Sequence, residues 1–376
     1  MQKIKVAVYG LTTEGYSLAS KMVERASVTI VDDTLQMAMD LNPATVRGNP
    51  TLQELVGGES LMGLKPVAQV LTEARVVFFT PKLRKTGDES VTEASGKMRE
   101  VARNVTKGTT VVNGLPVGVG GNSDNIALIE KQTGLKIGES LNYGYCPLRP
   151  GGGEAGVVAC FANMKESGSL EELGIRSSYG NITATEIEYA SSVLNESTAV
   201  ATEIELMRKA RGSRPASAKG VPERYIDDLA SHVYDLTAIQ ASEDVGEPLT
   251  YLAVAAIKSL ENHVRYIVDE TRDLLRELQL KASRTRVLVV WSIDRYEMRA
   301  DRMKTAENLV ERLRDYVTDV KHAQMSAGRE EVIDSYKHNI AIVCSARDLE
   351  WMKSLKTGSR ASELSLLRAT PNLQRG

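Results

Sequence analysis

The stretch Val6–Gly15, VAVYGLTTEG, decides the fold. A run of apolar residues leads into Gly10, a short turn follows, and residues with helical spacing begin near Gly15. A buried strand that bends at a glycine into a helix is the first half of a βαβ unit. The stretch therefore predicts that the chain opens with a parallel α/β sheet.

The segments after this stretch continue the alternation of strand and helix. Apolar runs occur in SVTIVDD, ARVVFFTP, TTVVNGLPVG and VVACF, and helical patterns separate them. This alternation predicts a parallel sheet covered by helices on both faces. The strands of such a sheet end at one rim, where ligands bind. The rim residues expected here are Gly10, Asp32, Thr80 and Asn113.

The middle of the chain is helical, and its end is again α/β. Two long helical patterns cover Thr183–Arg211 and Leu249–Leu280, and TRVLVVWS and NIAIVCS are two later strands. We therefore predict an α/β domain over 1–178, a helical domain over 179–282 and a smaller α/β domain over 283–376. The apolar stripes of the long helices pack either in the core only or also in a dimer interface.

The composition bears on partners, compartment and metals. A formal net charge of −2 and 5% aromatic residues disfavour nucleic acid and anionic membranes as partners. The chain shows no run of about 18 apolar residues that would predict a membrane span. Three cysteines, Cys146, Cys160 and Cys344, form no disulfide pattern, and no signal peptide precedes the first strand, so we predict a cytoplasmic protein. The four histidines are dispersed, and we expect no metal site.

The Gly10 turn has the form of a G-x-G-x-x-G dinucleotide-binding turn in which Thr12 replaces the middle glycine. That glycine normally lets the main chain approach a pyrophosphate, whereas a β-branched residue disfavours positive φ and fills space. Glu14 adds a negative charge at a helix N-terminus that otherwise favours phosphate. Asp32 is either an acid for a ribose hydroxyl or a helix N-cap. NAD is the candidate cofactor, and its candidate binding residues are Gly10, Leu11, Thr12, Gly15, Asp32, Thr80 and Pro81.

Seven motifs together resemble the UDP-glucose/GDP-mannose dehydrogenase family. They are VAVYGLTTEG, VTIVDD with LNP, LTEARVVFFTP, VVNGLPVG, NYGYCPLRPGG, ATEIEYASSVLNESTAVATEIEL and VLVVWSIDRYEMRADRMKTAENLVERL. The resemblance covers most of the chain. It implies an N-terminal Rossmann domain, a central helical dimerisation domain and a C-terminal Rossmann-like domain that holds a nucleotide sugar. It also implies a homodimer through the central helices, and oxidation of a sugar alcohol to a carboxylate with two NAD molecules.

The sequence departs from the family pattern at the residues that carry the chemistry. The threonine of the family's Ser-Thr-Val-Pro stretch falls on Gly114, and its loop glutamate falls on Leu148. The lysine of the long helix falls on Tyr189, and the asparagine one turn later falls on Val193. The family's nucleophilic cysteine belongs between the two central helices, where this chain has no cysteine.

These departures predict a pseudoenzyme. The family's reaction needs a proton acceptor, a cation beside the developing alkoxide and a thiolate that traps the aldehyde. The chain is therefore expected to bind a nucleotide, NAD or a nucleotide sugar without oxidising it, or to serve as a structural partner. Two alternatives stay open: an NAD-dependent two-electron oxidoreductase with another substrate, and a protein-interaction module. The candidate catalytic residues are Tyr189, as a proton relay in the first alternative, and Cys146.

Overall fold

The computed structural model describes residues 3–33, 66–150, 158–160, 169–175, 177–179, 181–210, 223–242, 246–324, 339–356 and 364–373. The chain forms two compact units. The first contains Met1–Ser191, Thr237–Asp244 and Tyr296–Ala300. The second contains Ser192–Leu236, Val245–Arg295 and Asp301–Gly376. The short piece Tyr296–Ala300 thus belongs to the first unit although it follows the first strand of the second sheet.

The first unit is built on a seven-stranded sheet with the order β2-β1-β3-β4-β5-β6-β7. Its strands are β1 Ile4–Tyr9, β2 Ala26–Val31, β3 Val76–Phe79, β4 Thr110–Asn113, β5 Asn142–Tyr145, β6 Val158–Cys160 and β7 Ser177–Tyr179. Neighbours among β1 to β5 are parallel, β6 is antiparallel to β5, and β7 is parallel to β6. The strand order reverses between β1 and β3, which is where ligands bind in sheets of this kind.

Within the described residues, five helices accompany these strands. They are α1 Thr13–Met22, α2 Val67–Glu73, α3 Asp88–Asn104, α4 Gly121–Thr133 and α5 Ser169–Glu172. Helix α1 buries Leu18 and Met22, which share a face because they lie four residues apart. All residues of β3 and β4 and the last four of β1 are buried, as expected for strands covered on both faces. The predicted parallel α/β sheet is therefore confirmed, apart from the antiparallel β6.

Long helices occupy the middle of the chain. They are α6 Ile182–Lys209, α7 Ile226–Ala230, α8 Val233–Ser242 and α9 Pro248–Glu277. Helix α9 begins with Pro248 in its first turn, where a missing N–H costs nothing. Its buried face repeats every three or four residues and includes Ala256, Leu260, Val264 and Ile267. Both predicted long helices are present, and each ends two or three residues before its predicted last residue.

The second unit contains a four-stranded parallel sheet with the order β11-β10-β8-β9. Its elements are β8 Arg286–Val290, α10 Asp301–Arg314, β9 Asp319–Ala323, β10 Ile340–Val343, α11 Ala346–Lys356 and β11 Ser365–Arg368. Apolar side chains of these strands pack with Tyr225, Leu349 and Met352 in one buried cluster. This is the smaller Rossmann-like sheet that the sequence predicts.

Four short strands and the tail differ from the sequence-based expectations. The motif NYGYCPLRPGG resembles a loop of the family, but its first four residues form β5, and β7, β9 and β11 are strands that the sequence does not predict. The C-terminal stretch RATPNLQRG has no periodicity, and the sequence alone predicts that it frays. Instead β11 pairs with β10, and Ala369 and Leu373 are fully buried. A strand of four residues is too short to show a period, and sheet neighbours decide its conformation.

A membrane-spanning segment is not among the described helices, none of which combines sufficient length with sufficient apolarity.

The buried imidazole of His263 predicts an acid-sensitive fold. Burial on α9 lowers the pKa of His263 from 6.5 to about 4. Between about pH 6.5 and pH 4, His263 is protonated in the unfolded chain but neutral in the folded chain. The free energy of unfolding therefore falls as the pH drops from about 6.5 to about 4. The loss approaches about 3 kcal/mol for such a shift. In urea unfolding between these pH values, His263→Leu should flatten this acid limb, and an unchanged limb would contradict the prediction.

Candidate functional site

Two glycines of the first turn are required by the packing of the protein itself. Gly10 has φ +117°, and a Cβ there would lie 2.0 Å from the carbonyl oxygen of Thr80 and 2.9 Å from Cα of Pro81. A Cβ at Gly15 would lie 2.5 Å from Oγ1 of Thr80. Gly10 therefore accepts only glycine, and a Cβ at Gly15 would displace the side chain of Thr80, because the segment after β3 crosses the turn in direct contact. These predicted cofactor residues do lie together at the rim of the sheet.

Thr12 stabilises the turn instead of straining it. Its main chain is extended, with φ −127° and ψ 157°, so the expected conflict with positive φ does not arise. The hydroxyl accepts a hydrogen bond from the N–H of Gly15 at 3.0 Å and donates to the carbonyl of Thr80 at 3.2 Å. Thr12 is thus the N-cap of α1, and it is 1% exposed. Its side chain occupies the space that a middle glycine would leave open.

The main-chain N–H groups of the turn donate to acceptors within the protein. The N–H of Leu11 donates to Oδ2 of Asp32 at 2.9 Å, and that of Thr12 donates to the carbonyl of Gly10 at 3.1 Å. The N–H of Thr13, the first residue of α1, donates to the carbonyl of Tyr296 at 2.8 Å. These are the kinds of group that hold a phosphate at a helix N-terminus.

The segment Tyr296–Ala300 lies directly over this turn. The N–H of Met298 donates to Oε2 of Glu14 at 3.1 Å, and the carbonyl of Met298 accepts from the N–H of Leu83 at 2.7 Å. The ammonium of Lys82 lies 5.1 Å from the ring centroid of Tyr296. The segment is therefore attached to the loops that follow both β1 and β3.

The predicted ribose acid lies at the same rim in a strongly negative environment. Asp32 is 6% exposed, and the neighbouring Asp33 forms an ion pair with Lys97 at 2.6 Å. The hydroxyl of Tyr9 donates to Oε2 of Glu100 at 2.6 Å. Burial, the hydrogen bond to Glu100 and the nearby aspartates raise the pKa of the Tyr9 phenol. Asp32 supports the main chain of the turn, in addition to whatever role it has toward a ligand.

Three of the positions at which this sequence departs from the family pattern, Gly114, Leu148 and Tyr189, lie near one another in the structure. A Cβ at Gly114 would lie 3.2 Å from Cδ1 of Leu148 and 3.0 Å from Cγ2 of Thr80. A nitrogen of the Arg299 guanidinium donates to the carbonyl of Leu148 at 2.8 Å and to the hydroxyl of Tyr189 at 3.4 Å. Leu148, Tyr189 and Arg299 are all buried. An apolar side chain and a phenol thus stand where the resemblance implies a carboxylate and an amine.

A buried polar network holds the neighbouring loop and helix. The carboxylate of Glu186 accepts from the N–H groups of Gly120 and Asn122 at 2.8 and 2.9 Å and from Nδ2 of Asn122 at 2.8 Å. Oδ1 of Asn122 accepts from Tyr143 at 2.6 Å and from Asn113 at 3.2 Å. Burial raises the pKa of the Tyr143 phenol. The network ties the end of β4 and the N-terminus of α4 to α6.

The described cysteines are poor nucleophiles. Cys146 is 8% exposed, and Cys344 is fully buried in the second unit. Burial, together with the charges of Asp348 and Asp227, raises the pKa of the Cys344 thiol, which disfavours the reactive thiolate. The side chain of Cys160 lies outside the described residues. Across the described part of the chain, His, Cys, Asp and Glu side chains form no group of three suited to a metal ion.

Two features of the site were missed by sequence reasoning. Arg299 and the segment Tyr296–Ala300 lie about 280 positions from the turn, and Met298 N and Glu14 are 284 residues apart. The sequence YEMRA has no periodicity and no turn signal. Its two charged residues, Glu297 and Arg299, are both buried, and no local pattern in the sequence indicates this.

Comparison with known proteins identifies the fold. No protein-family profile matches the sequence, and no curated protein matches it significantly. UDP-D-ManNAc dehydrogenase from Pyrococcus horikoshii aligns with a TM-score of 0.63 and 14% identity over 98% of this chain and 96% of that chain. UDP-glucose dehydrogenase from Pyrobaculum islandicum aligns with a TM-score of 0.60 and 15% identity over 98% and 94%. The UDP-N-acetyl-mannosamine dehydrogenase from Staphylococcus aureus aligns with a TM-score of 0.59 and 14% identity over 90% of this chain and 88% of that chain. The fold is therefore that of the nucleotide-sugar dehydrogenases, as the resemblance implies.

Removal of the Glu186 carboxylate should destabilise the first unit strongly. Glu186→Ala leaves three buried donors without their acceptor, and we expect a loss of about 3 kcal/mol or more in the free energy of unfolding. Glu186→Gln keeps one acceptor oxygen and should cost less. Glu188→Ala, at an exposed position of the same helix, is the matched control. Equal urea midpoints for Glu186→Ala and Glu188→Ala would show that the network is unimportant.

Proposed function

We propose that this chain keeps the architecture of the nucleotide-sugar dehydrogenases without their oxidation reaction, and acts as a non-catalytic binding or structural protein. One observation carries the proposal: Leu148 and Tyr189 pack together with Arg299 in a buried cluster at the positions of the family's glutamate and lysine. Neither a carboxylate nor an amine stands at those positions to take a proton or to stabilise an alkoxide.

The absence of a suitable thiol supports the same conclusion. The second hydride transfer of the family's reaction requires a thiohemiacetal, which forms only with a cysteine thiolate. The segment between the two central helices contains no cysteine. Cys146 is buried in the first unit, and buried cysteines are generally unreactive.

One observation favours a second candidate, a two-electron oxidoreductase on another substrate. The Tyr189 hydroxyl lies 3.4 Å from the guanidinium of Arg299, and a phenol beside a cation can exchange a proton with a substrate hydroxyl. This candidate needs a bound hydride acceptor, whereas the N–H groups of Leu11, Thr12 and Thr13 already donate within the protein.

We also propose a homodimer through the central helices, in a cytoplasmic protein. Four apolar side chains in the first turns of α9 are exposed, namely Leu249, Tyr251, Leu252 and Val254. Leu206 of α6 is 57% exposed. Apolar side chains concentrated on one helix end are typical of a surface that a partner covers. The resemblance implies that the partner is a second copy of the chain.

The absence of oxidation is tested by following NADH formation with UDP- and GDP-sugars. The protein should give no rate above the background without enzyme, because the base, the cation and the thiolate are all missing. Tyr189→Phe separates the two candidates: a rate in the unaltered protein that this variant abolishes would establish the second candidate and contradict the first. A rate that survives the variant would show that chemistry occurs elsewhere on the chain.

The dimer is tested by light scattering at micromolar protein. The unaltered protein should have twice the mass of one chain, and Leu252→Glu should shift it to the monomer by placing a charge in the apolar surface. Leu278→Glu, at an exposed position just after the C-terminal end of α9, is the control and should remain dimeric. A monomeric mass for the unaltered protein would refute the dimer.

A further inference from the structure

We propose that the Gly10–Gly15 turn is a binding site for a peptide, the chain's own segment Tyr296–Ala300, in place of a dinucleotide, and that Glu14 selects the peptide. This proposal rests on the proposed function. A turn that is occupied by the segment Tyr296–Ala300 does not bind the cofactor that would accept a hydride. The proposal assigns the turn a ligand of a different chemical class: a polypeptide main chain, which offers both carbonyl and N–H groups.

The location of the segment is the first support. The strand order reverses between β1 and β3, and this switch point is where a ligand lies against such a sheet. The segment crosses that point. The carbonyl of Tyr296 accepts from Thr13, which follows β1, and the carbonyl of Met298 accepts from Leu83, which follows β3.

The hydrogen-bond pattern is the second support. A pyrophosphate offers only acceptors, so every partner in its site must be a donor. The site here offers a donor and an acceptor side by side: the N–H of Thr13 and the carboxylate of Glu14. Only a ligand with an acceptor and a donor two residues apart satisfies both, and the Tyr296 carbonyl and the Met298 N–H do so at 2.8 and 3.1 Å.

Charge and space exclude the dinucleotide. Glu14 is 1% exposed, and its carboxylate lies at the helix end where the phosphates would be bound. Like charges at such short range in a poorly solvated site repel strongly. The side chain of Thr12 fills the position at which the main chain would approach the pyrophosphate. Arg299 fixes the far end of the segment through the carbonyl of Leu148 and the hydroxyl of Tyr189.

Calorimetry with NAD tests the inference. The unaltered protein should show no binding at millimolar NAD. Thr12→Gly combined with Glu14→Ala removes the charge, the peptide acceptor and the side chain in the turn, and should tighten NAD binding by about 100-fold or more. Thr12→Gly combined with Glu14→Gln removes the charge but keeps an acceptor for Met298, and should gain less. Glu24→Ala, an exposed acid just after α1, is the control for a change in net charge.

Two results would overturn the inference. The first is sub-millimolar NAD binding by the unaltered protein, and the second is a folded Thr12→Gly/Glu14→Ala variant that binds NAD no better than the unaltered protein. If the unaltered protein binds NAD but forms no NADH from any sugar, only this inference is wrong. If it forms NADH, the proposed function is wrong.

Hydrogen exchange on the unaltered protein keeps the inference testable if the variants do not fold. The amides of Thr13, Leu83 and Met298 should be protected, and millimolar NAD should leave their exchange unchanged. Fast exchange at Thr13 and Met298 would show that the segment does not occupy the turn.

Discussion

The hydrogen bond from the N–H of Thr13 to the carbonyl of Tyr296 is the contact on which the arrangement of the first unit's site depends. It brings a segment from a distant part of the chain onto the first turn of α1, at the point where the strand order reverses. Once the segment is there, Met298 can donate to Glu14, so that a carboxylate is buried with a partner instead of alone. Arg299 of the same segment donates to the carbonyl of Leu148 and to the hydroxyl of Tyr189.

Gly10 and Gly15 show that the glycines of a cofactor-binding motif can be required by the fold itself. Gly10 and Gly15 lie so close to Thr80 that a Cβ on either would overlap it. The strand-turn-helix geometry alone therefore retains them, whether or not a nucleotide binds. At Thr12, where the motif has its middle glycine, the fold does not require glycine, because the main chain is extended. Glu186, which lies in the motif ATEIEYASSVLNESTAVATEIEL, likewise has a structural role, because its carboxylate holds the N-terminus of α4.

The residues that support the fold can thus be distinguished from those that bear on chemistry. The structure aligns with UDP-sugar dehydrogenases over most of its length at identities near 14%. Gly10 and Gly15 support the first turn and Glu186 supports a helix end, whereas Leu148 and Tyr189 both contact the buried Arg299. A fold supports many functions because the site residues contribute little to the overall packing. At the rim of the first sheet, Arg299 donates to the carbonyl of Leu148 and to the hydroxyl of Tyr189.

The sequence by itself determined the elements whose pattern is local. Apolar runs predicted β1 to β4, and three- and four-residue spacing predicted the long helices α6 and α9. The sequence also predicted that Gly10, Asp32, Thr80 and Asn113 lie at one rim of the sheet, because parallel strands end on the same side. Only the tertiary structure decided what those residues contact: Asp32 supports Leu11, Thr12 caps α1, and a segment about 280 residues away covers the turn. Periodicity records which face of an element is buried, whereas the identity of the neighbour depends on chain closure over hundreds of residues, which leaves no local pattern.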